Sequence, residues 1–134
     1  MNEQEATKIY LELQMLGQKM QQLQEQLTQL EQQVESVNDT SQSLDELGGV
    51  KDDTEILVPV ANGIFVKARI ADAQSLLVNV GSHVNVPKSI PEVKRLMAMQ
   101  NEEVRKLQEQ LATQLKELAE HASKKEHELH ALMK

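Results

Sequence analysis

The sequence predicts an α+β chain: a long antiparallel α-helical coiled-coil hairpin with two central β-hairpins that join a multi-subunit β-barrel. Three observations predict it. An apolar repeat with alternating spacings of three and four runs over residues 6–44, the period falls to about two over residues 55–88, and a helical period returns over residues 89–134.

The first repeat places Ala6, Ile9, Leu13, Leu16, Met20, Leu23, Leu27, Leu30, Val34, Val37 and Leu44 on one seam, with Ser41 as its single interruption. A mean spacing of 3.5 residues keeps that seam facing a partner helix as the two supercoil. From Gly17 to Glu46 the remaining positions are mostly Gln and Glu, which favour helix. Gly48-Gly49 predicts a left-handed glycine stop, so the first helical segment spans residues 1–47.

Residues 48–88 form the assembly region. EILVPV and IFVKARI flank Asn62-Gly63, a pair suited to a type I′ turn because both positions need positive φ. SLLVNV and HVNVP flank Gly81-Ser82 and predict a second hairpin. Pro59 donates no ladder hydrogen bond, which predicts an edge or a bulge in the first strand.

Residues 89–134 form the second helix. Ser89 and Glu92 make a capping box, and Pro91 fits the first turn. Its apolar positions are Val93, Met97, Val104, Leu107, Leu111, Leu115, Leu118, Ala122 and Leu129, and from Val104 onward they suggest a 3-4-4 repeat. The turn-back between helices of similar length makes them antiparallel, and about 45 residues at 1.5 Å each predict a rod of roughly 65–70 Å. Both chain ends then meet at one tip. The three segments together make one structural domain.

Composition narrows the function. The chain has 134 residues, no Cys, and only Tyr10 and Phe65 as aromatics. Disulfides, thiolate metal sites and cysteine nucleophiles are excluded, and a reducing cytoplasmic setting fits. The start MNEQEATK lacks the character of a signal peptide, and no apolar run reaches the roughly 20 residues of a membrane span. Of the net charge of −7, all lies in residues 1–47, where nine acids face only Lys8 and Lys19. No basic stripe follows a phosphate backbone, so neither nucleic acid nor membrane is an expected partner. His127-Glu128-Leu129-His130 spaces its histidines by three rather than the four of a zincin helix. No phosphate loop or nucleophile triad is present either. The sequence therefore predicts no enzyme and no cofactor.

Two apolar sets remain. Ile56, Val58, Ile64, Phe65, Val66, Leu76 and Val78 lie on strands whose apolar residues fall on more than one face, and such strands need cover on both. Part of that cover is expected from Leu96, Ala98 and Met99, and the rest from other subunits. A self-contained four-stranded sheet is the alternative. The second set, Ile9, Tyr10, Leu11, Leu13, Leu129, Leu132 and Met133, gathers at the chain-end tip beside Met15. Concentrated apolar surface there suits binding of varied partners. Fraying ends that pack on one another are the alternative.

The stretch EILVPVANGIFVKARI followed by LLVNVGSHVNVPKSIPE resembles the prefoldin family, and its two hairpins resemble the α class. The resemblance implies a hexamer of two α and four β subunits joined through β-barrels. It implies a cytosolic, ATP-independent holdase that captures unfolded polypeptide clients at coil tips and passes them to a group II chaperonin. On this chain the capture role maps to the seven tip residues. The competing reading is a coiled-coil scaffold or spacer that oligomerises through its sheet.

Overall fold

The computed structural model describes residues 2–133; Met1 and Lys134, the outer bounds of the first and third predicted segments, lie outside them. The elements are α1 (Asn2–Gly48), β1 (Glu55–Ala61), β2 (Ile64–Arg69), β3 (Ser75–Asn79), β4 (Asn85–Ser89) and α2 (Ile90–Leu132). They make two compact units, one of residues 2–34 with 102–133 and one of Glu35–Asn101.

Along α1 the seam keeps an unbroken heptad rhythm. Ala6, Ile9, Leu13, Leu16, Met20, Leu23, Leu27, Leu30, Val34, Val37, Ser41 and Leu44 are all buried or half-buried, and between Gly17 and Glu46 every other position is exposed. Ser41 holds its phase despite its hydroxyl. The seam of α2 departs from the predicted repeat. Val104, Gln108, Leu111, Leu115, Leu118, Ala122, Lys125, Leu129 and Leu132 are the covered positions, whereas Leu107 is 43 % exposed. The 3-4-4 repeat is therefore a heptad in which polar residues occupy seam positions. Moving Leu107 inward requires rotating the helix by about 100°, which would expel its neighbours from the seam.

Within the first unit, Lys19, Gln22, Leu23 and Gln26 share a cleft with Gln114, Glu117 and Leu118, while Ile9 shares one with Ala131 and Leu132. Numbers rise on one helix as they fall on the other, so these segments run antiparallel. The second unit shows the same sense. Lys94 donates to Asp45, and Asn101 Nδ2 donates to Asn38 Oδ1 at 3.0 Å.

Each hairpin is its own two-stranded antiparallel sheet, so the predicted alternative of one four-stranded sheet is not what forms. In the first, Ile56 pairs Ala68 and Val58 pairs Val66, and the register shifts between Pro59 and Ala61. This is the bulge that Pro59 predicts. Asn62 and Gly63 have φ of 45° and 79°, as a type I′ turn requires. In the second hairpin, β4 starts two residues later than HVNVP implies. Ser82 and His83 adopt φ of 49° and 61°, so His83 belongs to the turn. Asn79 Oδ1 steadies that turn by accepting the Gly81 N–H at 2.8 Å.

The junction between helix and hairpins is held by polar contacts. The Asp53 N–H donates to the Ile70 carbonyl at 2.7 Å, the Ile70 N–H to the Thr54 carbonyl at 3.0 Å, and the Ala73 N–H to Asp52 Oδ1 at 3.0 Å. Gln74 Nε2 donates to the Gly48 carbonyl at 3.0 Å, satisfying one of the carbonyls a helix end leaves open. Ala73, only 2 % exposed, and Ile90 are the buried residues of this unit. Ser89 Oγ accepts the Glu92 N–H at 3.3 Å and caps α2.

The stop of α1 differs from expectation. Neither Gly48 nor Gly49 has positive φ. The helix instead tightens, with the Gly49 and Val50 N–H groups donating to the Glu46 and Leu47 carbonyls. A Cβ at Gly48 would meet Ile90 Cδ1 at 3.5 Å, ordinary contact. Gly48→Ala is thus expected to stabilise the chain by about 0.4–1 kcal/mol. Gly63→Ala meets no atom but keeps φ at +79°, and is expected to destabilise by roughly 1–2 kcal/mol. Urea melts of the two variants check the opposite signs.

Candidate functional site: two exposed apolar surfaces

The first surface lies where the first turns of α1 meet the last turns of α2. Ile9 is buried, and Leu13, Leu129 and Leu132 are half-buried, so these four of the seven predicted capture residues pack within the helix pair. Tyr10, Leu11 and Met133 are exposed, and Met15, 68 % exposed, extends the set. Leu11 and Met15 are four residues apart and share one face of α1. That spacing, present in the sequence, is the signal that adds Met15. The exposed side chains therefore sit over a packed seam.

Polar groups frame this surface. A groove of about 470 Å³ is lined by residues including Lys8, Ile9, Glu12, Lys125, Ala131 and Leu132. A second, of about 340 Å³, runs between Met15, Leu16, Gln22 and His121. Lys125 stands at a seam position. Its stem is largely covered while its ammonium reaches Glu12 at 3.1 Å and Glu128 at 3.5 Å.

The hydrogen bond from Lys125 lowers the Glu12 pKa, helped by the nearby charges of Lys125, Lys8 and His121. The same bond raises the Lys125 pKa. A lowered carboxylate stabilises the fold above its ordinary titration range and loses that effect as pH falls through the folded value. A raised lysine stabilises below its ordinary range and loses the effect as pH rises through the folded value. The bridge is thus intact from mildly acidic to mildly alkaline pH. Both groups reach solvent, so Glu12→Gln is expected to leave the neutral-pH melting temperature nearly unchanged and to flatten its fall toward about pH 3. Thermal melts across that range check it.

The second surface is on the hairpins. On β1–β2, Ile56, Val58, Val66 and Ala68 share one wholly apolar face, and Ile56, Val58 and Val66 are exposed. The opposite face mixes Leu57, Pro59 and Phe65 with Glu55, Lys67 and Arg69, and Leu57 and Phe65 are exposed. Ile64 beside the turn is exposed as well. On β3–β4, Leu76 and Val78 are half-buried with Val86 on one face, while Leu77 on the other is 74 % exposed. Val60, Val80 and Val84 join the exposed set. Strand alternation carries the signal for Leu57 and Leu77, and the bulge and turn account for the others. Leu96, Ala98 and Met99 do not cover the strands as expected. All three are exposed, because they lie off the α2 seam.

A helix pair with two insert hairpins and exposed apolar surface narrows the families to consider. The family model for prefoldin subunits matches residues 16–134. The chain belongs to the prefoldin family. Prefoldin is a non-enzymatic chaperone family, and the related subunits make this chain α-type. It is 31 % identical to the prefoldin subunit alpha of Pyrococcus horikoshii over 92 % of this chain and 86 % of that one. It is 31 % identical to the alpha subunit of Methanococcus aeolicus over 69 % of this chain, and spans 62 % of the length of that relative. With the alpha subunit of Thermofilum pendens it shares 36 % identity over 50 % of this chain, and spans about half of that relative (52 %). Its fold resembles the filamentous prefoldin of Methanocaldococcus jannaschii seen by cryo-electron microscopy. The TM-score is 0.73 at 14 % identity, covering 84 % of this chain and 93 % of that one. Among the described residues, no helix is long and apolar enough to cross a membrane.

Proposed function

We propose that this chain is the α-type subunit of an ATP-independent cytoplasmic holdase. It binds non-native polypeptides through the apolar side chains exposed where its chain ends meet. The observation that carries this reading is the exposure of Tyr10, Leu11, Met15 and Met133 over a seam that is already filled. Surface of this kind has no packing role left within the helix pair. Ile9, Leu13, Leu129 and Leu132 support it from beneath.

Capture is reversible apolar burial. Each large side chain buried contributes about 1.5–3 kcal/mol before ordering costs, so a single subunit binds weakly. Several subunits acting on one client gain through effective concentration. The exposed hairpin faces supply the means of association, in an assembly of two α and four β subunits sharing β-barrels. Release then proceeds by competition from a group II chaperonin, with no nucleotide consumed on this chain.

The test is aggregation of a chemically unfolded client, followed by light scattering, with the chain assembled with β-type subunits and ATP omitted. Suppression near one assembly per client supports capture. Undiminished aggregation in the presence of a verified assembly overturns it in favour of a scaffold that oligomerises through its hairpins.

A further inference from the structure

Buried polar atoms in a coiled-coil seam cost stability unless they are fully bonded, and such atoms mark where a seam separates most easily. Asn101 occupies a seam position of α2. Its Nδ2 donates to Asn38 Oδ1 at 3.0 Å, and its own Oδ1 is buried with no hydrogen-bond partner among the described residues. Three residues beyond Asn38, about 4.5 Å along the helix, α1 places Ser41 on its seam in the one polar position between Ala6 and Leu44. On α2 the covered positions Ile90, Lys94, Met97, Asn101, Val104 and Gln108 keep the 4-3 alternation, so Asn101 stands in a regular seam with polar side chains at three of its six positions.

We propose that the coiled coil is built to open locally at the level of Ser41 and Asn101. Separation at this level uncovers only Val37 and Met97 among the apolar seam residues and lets both atoms of the Asn101 amide bond to water. Separation over Met20–Val34 instead exposes an unbroken row of Met, Leu and Val. The seam thus carries a compliant step beside a firm one.

Amide hydrogen exchange on the full-length chain, read by mass spectrometry on peptides, tests this. Residues 36–43 and 98–103 are expected to exchange about tenfold faster than residues 20–30 and 108–118, as local openings of low free energy do. Ser41→Val with Asn101→Leu fills the seam and is expected to remove that difference while circular dichroism stays helical. Asn38→Ala leaves the Asn101 amide without its partner and is expected to accelerate exchange further at both segments. Equal protection along the wild-type helices overturns the proposal. So does a filled seam that exchanges as fast as the original, or an Asn38→Ala chain that exchanges no faster.

Discussion

Replacing Val58 and Val66 together by glutamate is expected to leave the helices folded and to abolish higher-order assembly. The two residues pair directly across β1 and β2, on the face completed by Ile56 and Ala68. Both are exposed in the single chain, so neither carboxylate has to be buried for the chain itself to fold. In an assembly that covers this face, two like charges would face each other with no partner, and burying an unpaired carboxylate costs far more than a valine contributes. Sedimentation velocity of the chain mixed with β-type subunits, alongside circular dichroism, reads both quantities. A variant that still sediments as the full assembly would remove this face from the interface.

Leu11→Glu combined with Met15→Glu is expected to abolish client capture with assembly intact. The pair shares one exposed face of α1 and contributes nothing to the seam, so helix content and melting temperature are expected to change little. Losing two apolar contacts of about 1.5–3 kcal/mol each on every copy reduces an already weak, multivalent affinity by orders of magnitude. Ile9→Ala is the informative contrast. Ile9 is buried, and its truncation is expected to lower stability by about 2–5 kcal/mol with only a secondary effect on capture. If the double glutamate variant suppresses aggregation as well as the original, capture lies elsewhere.

Much of this architecture can be read from the residues alone, and the misreadings share a cause. The α1 seam is legible to the residue because each heptad repeats the same apolar choice and Ser41 cannot shift a phase set by eleven others. In α2 the chain offers Leu107 where the phase requires Gln108, and apolar identity misleads because a helix rotates as a whole. The Asn62–Gly63 turn is legible because few other dipeptides tolerate its backbone. Ser82–His83 adopts a similar left-handed pair without glycine, a conformation stabilised by its surroundings rather than by propensity. Ala73 reads as linker yet is the most buried of the core residues, because its position depends on the Asp52 carboxylate and the fold of the junction. In the predicted capture set the sequence finds the turns of helix that carry exposed apolar side chains. It does not separate side chains that hold the pair together from those left over.

The cross-helix contacts also dictate an order of events. Lys94 and Asp45 are 49 residues apart in sequence and Asn101 and Asn38 are 63, while Lys125 and Glu12 are separated by more than twice the first span. Closing the longest loop directly costs about 0.7 kcal/mol more than closing the shortest. Pairing that starts beside the junction therefore closes the shorter loops first. During synthesis α1 emerges first and waits, its whole apolar edge unmated, until residues 90–132 follow. A chain proposed to shield other unfolded polypeptides thus begins its own life in need of shielding.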